Sequence, residues 1–392
     1  MVNKDTAGIV PANQQPGILK TLLLCLPMMI ITVMMLSHGT LPTEPARLTA
    51  FILTFFFINV IFFLMIRTGE TDRWRSILFV TYAVCFVVSF IANLIEVRGS
   101  MALSPADIIE GLAPCCHIVI PMTLIPAALT KTIIFPGTII GTKYAIVSMF
   151  VLWTGATIAL GRGFCSWVCF FGGLDEGFSR LFKKARIKDV NPKWNYLPYA
   201  VLLLIVLASA LTLSPVYCDW LCPFKTVTEY PEITSVKTVI QAIIFISLFI
   251  ALVMVLPALT KRRIQCSLFC PMGAVQSLTN KINVFNVRVD PEKCIKCKKC
   301  IQTCPTFSIN EETIAKGKTA ITCMKCGKCI DACKQNAIFY HISGTPLTGG
   351  RVEIYRRLFI YPAFIFLATM SEGFVQDTII RTIKLIITGS MF

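Results

Sequence analysis

The sequence predicts a mainly α, polytopic membrane helical bundle of about seven spans, with a cysteine-rich α+β domain inserted before the last span. Three observations predict it. Hydrophobic residues make up 55% of the 392-residue chain and charged residues only 15%, against about 25% charged in a soluble domain. Apolar runs recur at 21–36, 48–66, 76–95, 144–160, 197–214, 238–257 and 354–370, most of them close to the roughly 20 residues a spanning helix needs. Between the last two runs lies a more polar stretch, 258–353, that holds 10 of the 18 cysteines.

The first run is short and contains Pro27, but Ile18 and Leu19 extend it. No small-x-small cleavage site follows it closely, so it reads as a retained span. The stretch 112–130 is apolar but interrupted by Pro114, Pro121 and Pro126. It reads as a re-entrant segment, which is tolerable only when buried in protein. Residues 1–257 thus form a transmembrane domain, 258–350 a soluble domain, and 351–392 a final span with an amphipathic tail. In that tail Val375, Ile379, Ile380, Ile383, Ile386 and Ile387 make an apolar stripe at helical spacing, suited to a membrane surface or a docking subunit. No long-period repeat is evident.

Orientation follows from Lys and Arg, which are retained on the cytoplasmic side. With the N-terminus inside, the inner connections carry two basic residues (1–20), three (67–75) and seven (161–196). The outer ones carry one (37–47), three (96–143) and two (215–237). This places the chain in the inner (cytoplasmic) membrane, multi-pass, with the soluble domain in the cytoplasm. The net charge of +16 then reflects topology and lipid contact, and no nucleic-acid motif accompanies it.

The soluble domain contains two runs of identical spacing: Cys294, Cys297, Cys300, Cys304 with Pro305 following, and Cys323, Cys326, Cys329, Cys333. This is the two-cluster bacterial ferredoxin pattern, in which the fourth cysteine of each run serves the other cluster. Cys294, Cys297, Cys300 and Cys333 are expected to hold one [4Fe–4S] cluster, and Cys304, Cys323, Cys326 and Cys329 the second. Structural zinc instead favours two separated pairs. Lys296, Lys298, Lys299, Lys325 and Lys328 lie between the ligands, as counter-charges or as a solvated face.

Three further pairs share one spacing: "CSWVC" (Cys165, Cys169), "CDWLCP" (Cys218, Cys222) and "CSLFCP" (Cys266, Cys270). On a helix such i,i+4 thiols share a face. Cys165, Cys169, Cys266 and Cys270 follow inward-running spans and are expected to form an inner membrane-edge centre. Cys218 and Cys222 are expected on the opposite edge, with Cys115, Cys116 or His117 from "APCCHIVIP" as partners. A Cys218–Cys222 disulfide is the alternative on an oxidising face. Trp153, Trp167 and Trp220 are expected at the membrane interfaces. No acid–base pair or nucleophile stands out, and the reading is of an electron-transfer subunit of an oxidoreductase complex.

"GRGFCSWVCF" and "CSLFCPMGA", followed by a two-cluster ferredoxin domain, resemble the NapH- and NosR-type membrane polyferredoxins, and the CcoG-type proteins are similar. The resemblance covers roughly 144–340 and departs at Phe170, where many members carry proline. It implies membrane-linked electron transfer between a cytoplasmic donor or the quinone pool and an extracytoplasmic redox partner, with partner subunits on one or both faces. A quinol dehydrogenase subunit and a redox assembly factor that reduces a metal for a partner enzyme are the alternatives. Two [4Fe–4S] clusters, one or two further iron–sulfur centres at the membrane edges and a quinone are the expected cofactors. The hydrocarbon core is about 30 Å thick, so centres at both edges would require sunken positions or an intermediate carrier.

Overall fold

The computed structural model describes residues 16–37, 39–96, 116–132, 146–187, 191–228, 235–346 and 352–391. Within them run α1 (Ile18–Ser37), α2 (Pro45–Thr68), α3 (Thr71–Glu96), α4 (Ile120–Thr130), α5 (Ile146–Leu160), α6 (Phe170–Ser179) and α7 (Leu197–Thr212). Then follow α8 (Val236–Thr260), α9 (Pro271–Thr279), β1 (Phe285–Val289), α10 (Lys299–Thr303), α11 (Glu311–Ala315), α12 (Lys328–Asp331), β2 (Ile338–Ile342) and α13 (Val352–Thr388). Six of these helices are long and apolar enough to cross a membrane. A seventh crossing arises if Met149–Trp167 and Phe170–Ser179, bent by 43° to each other, count as one. The protein is a mainly α, multi-pass membrane protein with a ferredoxin domain.

Local chemistry sets the helix ends. Pro45 opens α2, where a missing N–H costs nothing. Gly69 closes it in the left-handed conformation, its N–H bonded to Met65 O. Within α8, Pro257 removes a backbone donor, and the preceding residues Phe249–Val255 widen into π turns that absorb the mismatch. The last helix differs from expectation. It does not break near 370 but runs 37 residues without interruption, about 55 Å at helical rise. The stripe of its tail divides: Val375 is buried, whereas Ile386 and Ile387 are exposed.

The ferredoxin domain is small. β1 and β2 pair antiparallel, from Phe285↔Ile342 to Val289↔Ile338, and the cysteine loops fill the space beside them. It is clamped to the bundle by polar bonds. Asp331, on α12, accepts from the N–H of Thr71 at 3.2 Å and of Asp72 at 2.7 Å. A residue 260 positions away therefore caps the start of a spanning helix. Arg356 ties α13 to Met65 O (2.9 Å) and Thr71 Oγ1 (3.2 Å). Arg75 is fully buried and donates to Cys326 O at 3.1 Å and Ser166 O at 2.7 Å. It also pairs with Asp72 and Glu176, which Arg180 shares.

Replacing Asp331 by Ala is expected to destabilise the protein by about 1 kcal/mol, the usual worth of a helix cap. Hydrogen exchange would quicken at the amides of residues 71 and 72. Asn, which keeps an acceptor, should recover most of the loss.

Candidate metal centres

The two ferredoxin loops are built alike. Lys296 and Lys298 in the first, and Lys325 and Gly327 in the second, all take positive φ, at 55°, 58°, 52° and 88°. Left-handed residues in a tight loop turn their N–H groups into a shared concavity that suits an anion. Only glycine does this without Cβ strain, so three lysines at these positions reflect how tightly the loops wrap. Ser308 N–H lies 3.3 Å from Cys304 Sγ.

Cys300 has Cys294, Cys297 and Cys333 as charge neighbours, while Cys329 has Cys323, Cys326, Cys304 and Cys300. The first set is open, with Cys297 exposed. The second, Cys304, Cys323, Cys326 and Cys329, lines a small cavity. Burial pushes the Cys326 thiol up to about 12 and the Cys300 thiol up to about 11, so both keep their protons near neutrality until a metal displaces them. Lys325 is not a surface lysine. It is buried, donates to Leu160 O at 2.9 Å and Asn283 Oδ1 at 2.6 Å, and burial pulls its ammonium down to about 7. Lys298 is exposed and pairs with Glu311 at 2.5 Å.

The three CxxxC loops also share one conformation, but not the expected one. In each, the first cysteine sits in a helical turn and the second leaves the helix. Cys169, Cys222 and Cys270 are extended, at φ/ψ −73/110, −80/108 and −74/118. The paired thiols are therefore not on one helical face. Two of the loops, Tyr217–Leu221 and Gln265–Phe269, wind as π turns, a rare form that recurs at functional sites. Glycine permits the tight return of the first loop: a Cβ on Gly172 would lie 2.3 Å from Cys165 O.

The expected assignment of two centres to opposite membrane edges does not hold. The backbone carries the second cysteine of the first loop back into the bundle. Ser166 and Trp167 lie at the ferredoxin surface, bonded to Met324 O and Lys325 O. Phe170 stacks on Phe86 at 3.9 Å, level with the middle of α3. His117, expected on the far edge, places Nε2 3.1 Å from Cys169 Sγ. Tyr217, beside Cys218, accepts from Gln265, beside Cys266, at 2.9 Å. Phe171 stacks on Phe224 at 4.1 Å. Cys270 has both Cys165 and Cys222 as charge neighbours, and Cys218 has Cys222 and Cys116. One cavity is lined by Cys165, Cys169, Cys266, Cys270 and His117, among mostly apolar side chains. The reason is tertiary packing: contacts between residues far apart in sequence bring these loops together, and a count of charges at the exits cannot register it.

Other expectations change with it. Cys115 lies outside the described residues. Cys218 and Cys222 are thiols, not a disulfide. Trp167 is not an interface anchor but is fully buried against Phe359. Arg162, counted as a topology charge, is 1% exposed and bonds Thr322 O and Cys266 O. Among the described residues no three His, Cys, Asp or Glu side chains converge closely enough to hold a single metal ion. A zinc site needs such convergence, with every sulfur about 2.3 Å from one ion. A polynuclear iron–sulfur cluster does not, since its thiolates bind separate irons. Buried sets of four thiols therefore fit that group.

Comparison with known proteins gives the same chemistry. A family described as 4Fe-4S binding domain matches three times, over 142–188, 194–237 and 242–289. Each match contains one CxxxC pair, so the chain does carry a repeat, which its divergent spans conceal. A 4Fe-4S dicluster domain matches 286–334. The uncharacterized protein MJ0750 of Methanocaldococcus jannaschii is 31% identical over 173 residues, 42% of this chain and 67% of that protein. The regulatory protein NosR of Pseudomonas aeruginosa is 26% identical over 174 residues, 42% of this chain and 23% of its own. The ferredoxin-type protein NapH of Escherichia coli is 23% identical over 171 residues, 43% and 55% respectively. The matched region spans about half the length of several of these curated relatives. No solved structure matches the chain.

Proposed function

Since the chain belongs to the NapH/NosR-type membrane ferredoxins, we propose that it is an electron conduit through the membrane. It joins a cytoplasmic donor to a redox partner on the far side. One observation carries this reading: the loops bearing the CxxxC pairs pack against one another, and Arg162, Ser166 and Arg263 join them to residues 322–324 of the buried ferredoxin cysteine loop. Bound iron–sulfur clusters would supply one-electron redox chemistry. Cys294, Cys297, Cys300 and Cys333 would hold the exposed cluster. Cys304, Cys323, Cys326 and Cys329 would hold the buried one. Cys165, Cys169, Cys266 and Cys270 would hold a mid-membrane centre, with Cys218, Cys222 and Cys116 as donors for a further one.

The chain's own residues arrange these sets in order. The first thiol set faces solvent, where a donor can dock. The second is screened from water by the loops that Arg75, Ser166 and Trp167 grip. The third is lined by Phe164, Phe171 and Phe224. Burial of this kind excludes water and fixes each set relative to the next. The N-terminus and the ferredoxin domain are assigned to the cytoplasm by the distribution of Lys and Arg.

Proteoliposomes test this. A low-potential ferredoxin outside should reduce a trapped haem protein inside, and Cys165→Ser with Cys270→Ser should stop it. Undiminished transfer in that variant would sink the conduit. Transfer that required an added quinol would instead favour a quinol dehydrogenase subunit.

A further inference from the structure

The pattern R-x-x-C-x-x-x-C-x-x-G occurs twice, as Arg162, Cys165, Cys169, Gly172 and as Arg263, Cys266, Cys270, Gly273. The two copies clasp each other. Arg162 Nη2 donates to Cys266 O at 3.2 Å, and Arg263 Nη2 donates to Cys165 O at 2.7 Å. Each arginine also reaches the first thiol of its own copy. Arg263 Nη2 lies 3.3 Å from Cys266 Sγ, and Arg162 is a charge neighbour of Cys165. Their remaining bonds go to the ferredoxin loop on either side of Cys323: Arg162 to Thr322 O, Arg263 to Met324 Sδ. Both side chains are 1% exposed, and in both the Nε–H has no partner. The "CDWLCP" loop has Pro215 and Lys225 at the positions of the arginine and the glycine.

Two buried guanidiniums are costly unless negative charge meets them. Arg263 has Glu176 at 3.7 Å and Asp175 nearby, but Glu176 is shared with Arg75 and Arg180. The position matching Asp175 in the other copy is Gln276, which is neutral. Among the described residues, the Arg162 guanidinium bonds carbonyls and no carboxylate. Four thiolates around an oxidised iron–sulfur core make a dianion, which two guanidiniums offset.

We propose that Arg162 and Arg263 are a matched pair of positioning residues that neutralise the centre held by Cys165, Cys169, Cys266 and Cys270 and raise its reduction potential. The inference rests on the conduit reading. Reduction adds a negative charge to a buried anion, and a fixed cation beside it stabilises the reduced form more than the oxidised one.

The test is a redox titration with dithionite, followed by electron paramagnetic resonance, on the purified full-length chain. In the wild type a signal beyond those of the ferredoxin domain is required; its absence would remove the conduit reading itself. With that signal present, Arg162→Gln and Arg263→Gln should each lower its midpoint. The expected drop is at least tenfold in the one-electron equilibrium, about 59 mV. The ferredoxin-domain midpoints should stay in place. Arg162→Lys and Arg263→Lys should recover most of the shift. An unmoved midpoint in the Gln variants would overturn the proposal. If the Gln variants lose the signal, retention in the Lys variants supports a need for charge, and loss in both overturns it.

Discussion

Serine at Cys165 and Cys270 together is expected to remove one iron–sulfur centre and leave the ferredoxin domain intact. Iron and acid-labile sulfide per chain should fall by the content of a single centre, while the signals of the ferredoxin-domain centres persist. The two thiols come from different loops, and both line the same mid-bundle cavity. Serine keeps the size and loses the thiolate, so packing is little disturbed. Cys222→Ser discriminates further. Cys222 is a charge neighbour of Cys270 but does not line that cavity, so its loss should leave the first centre's signal while shifting it. If all iron were held by the eight ferredoxin cysteines, none of these variants would change the iron count, and the mid-membrane centre would fall.

The second large effect is on stability. Arg75→Met should cost about 3–5 kcal/mol, the usual penalty for breaking a buried ion pair from one side. Arg75 is fully buried, and its loss strands Ser166 O and Cys326 O at the seam between bundle and ferredoxin domain and leaves Asp72 and Glu176 to the remaining arginines. Adding Glu176→Met should cost less than the sum of the single changes, because the two side chains belong to one ion-pair network. Denaturation in detergent, with alkylation of Cys326 as the reporter of opening, reads both. Additive losses, or a neutral single variant, would show that the seam is held by apolar packing alone.

Much of this protein was legible in one dimension. Spans declare themselves because a lipid core admits only apolar, internally bonded helices, and their length is set by its thickness. The ferredoxin loops declare themselves because three corners of one cluster are met by a single short loop, which fixes the cysteine spacing. The helix ends at Pro45 and Gly69 are likewise matters of local backbone chemistry.

The location of the remaining thiols was not legible, and only tertiary packing decided it. Charge counts locate where a chain leaves the membrane, not how far a loop turns back into it. That depth depends on Gly172 seating against Cys165 O, on Phe170 meeting Phe86, and on an extended residue at Cys169 that interrupts the helix. The contacts join residues far apart in sequence, and none leaves a periodic trace. The same holds for Arg75, Arg162 and Arg263. A basic residue at a span end looks the same in sequence whether it faces water or is buried beside thiols, because only its neighbours in space differ.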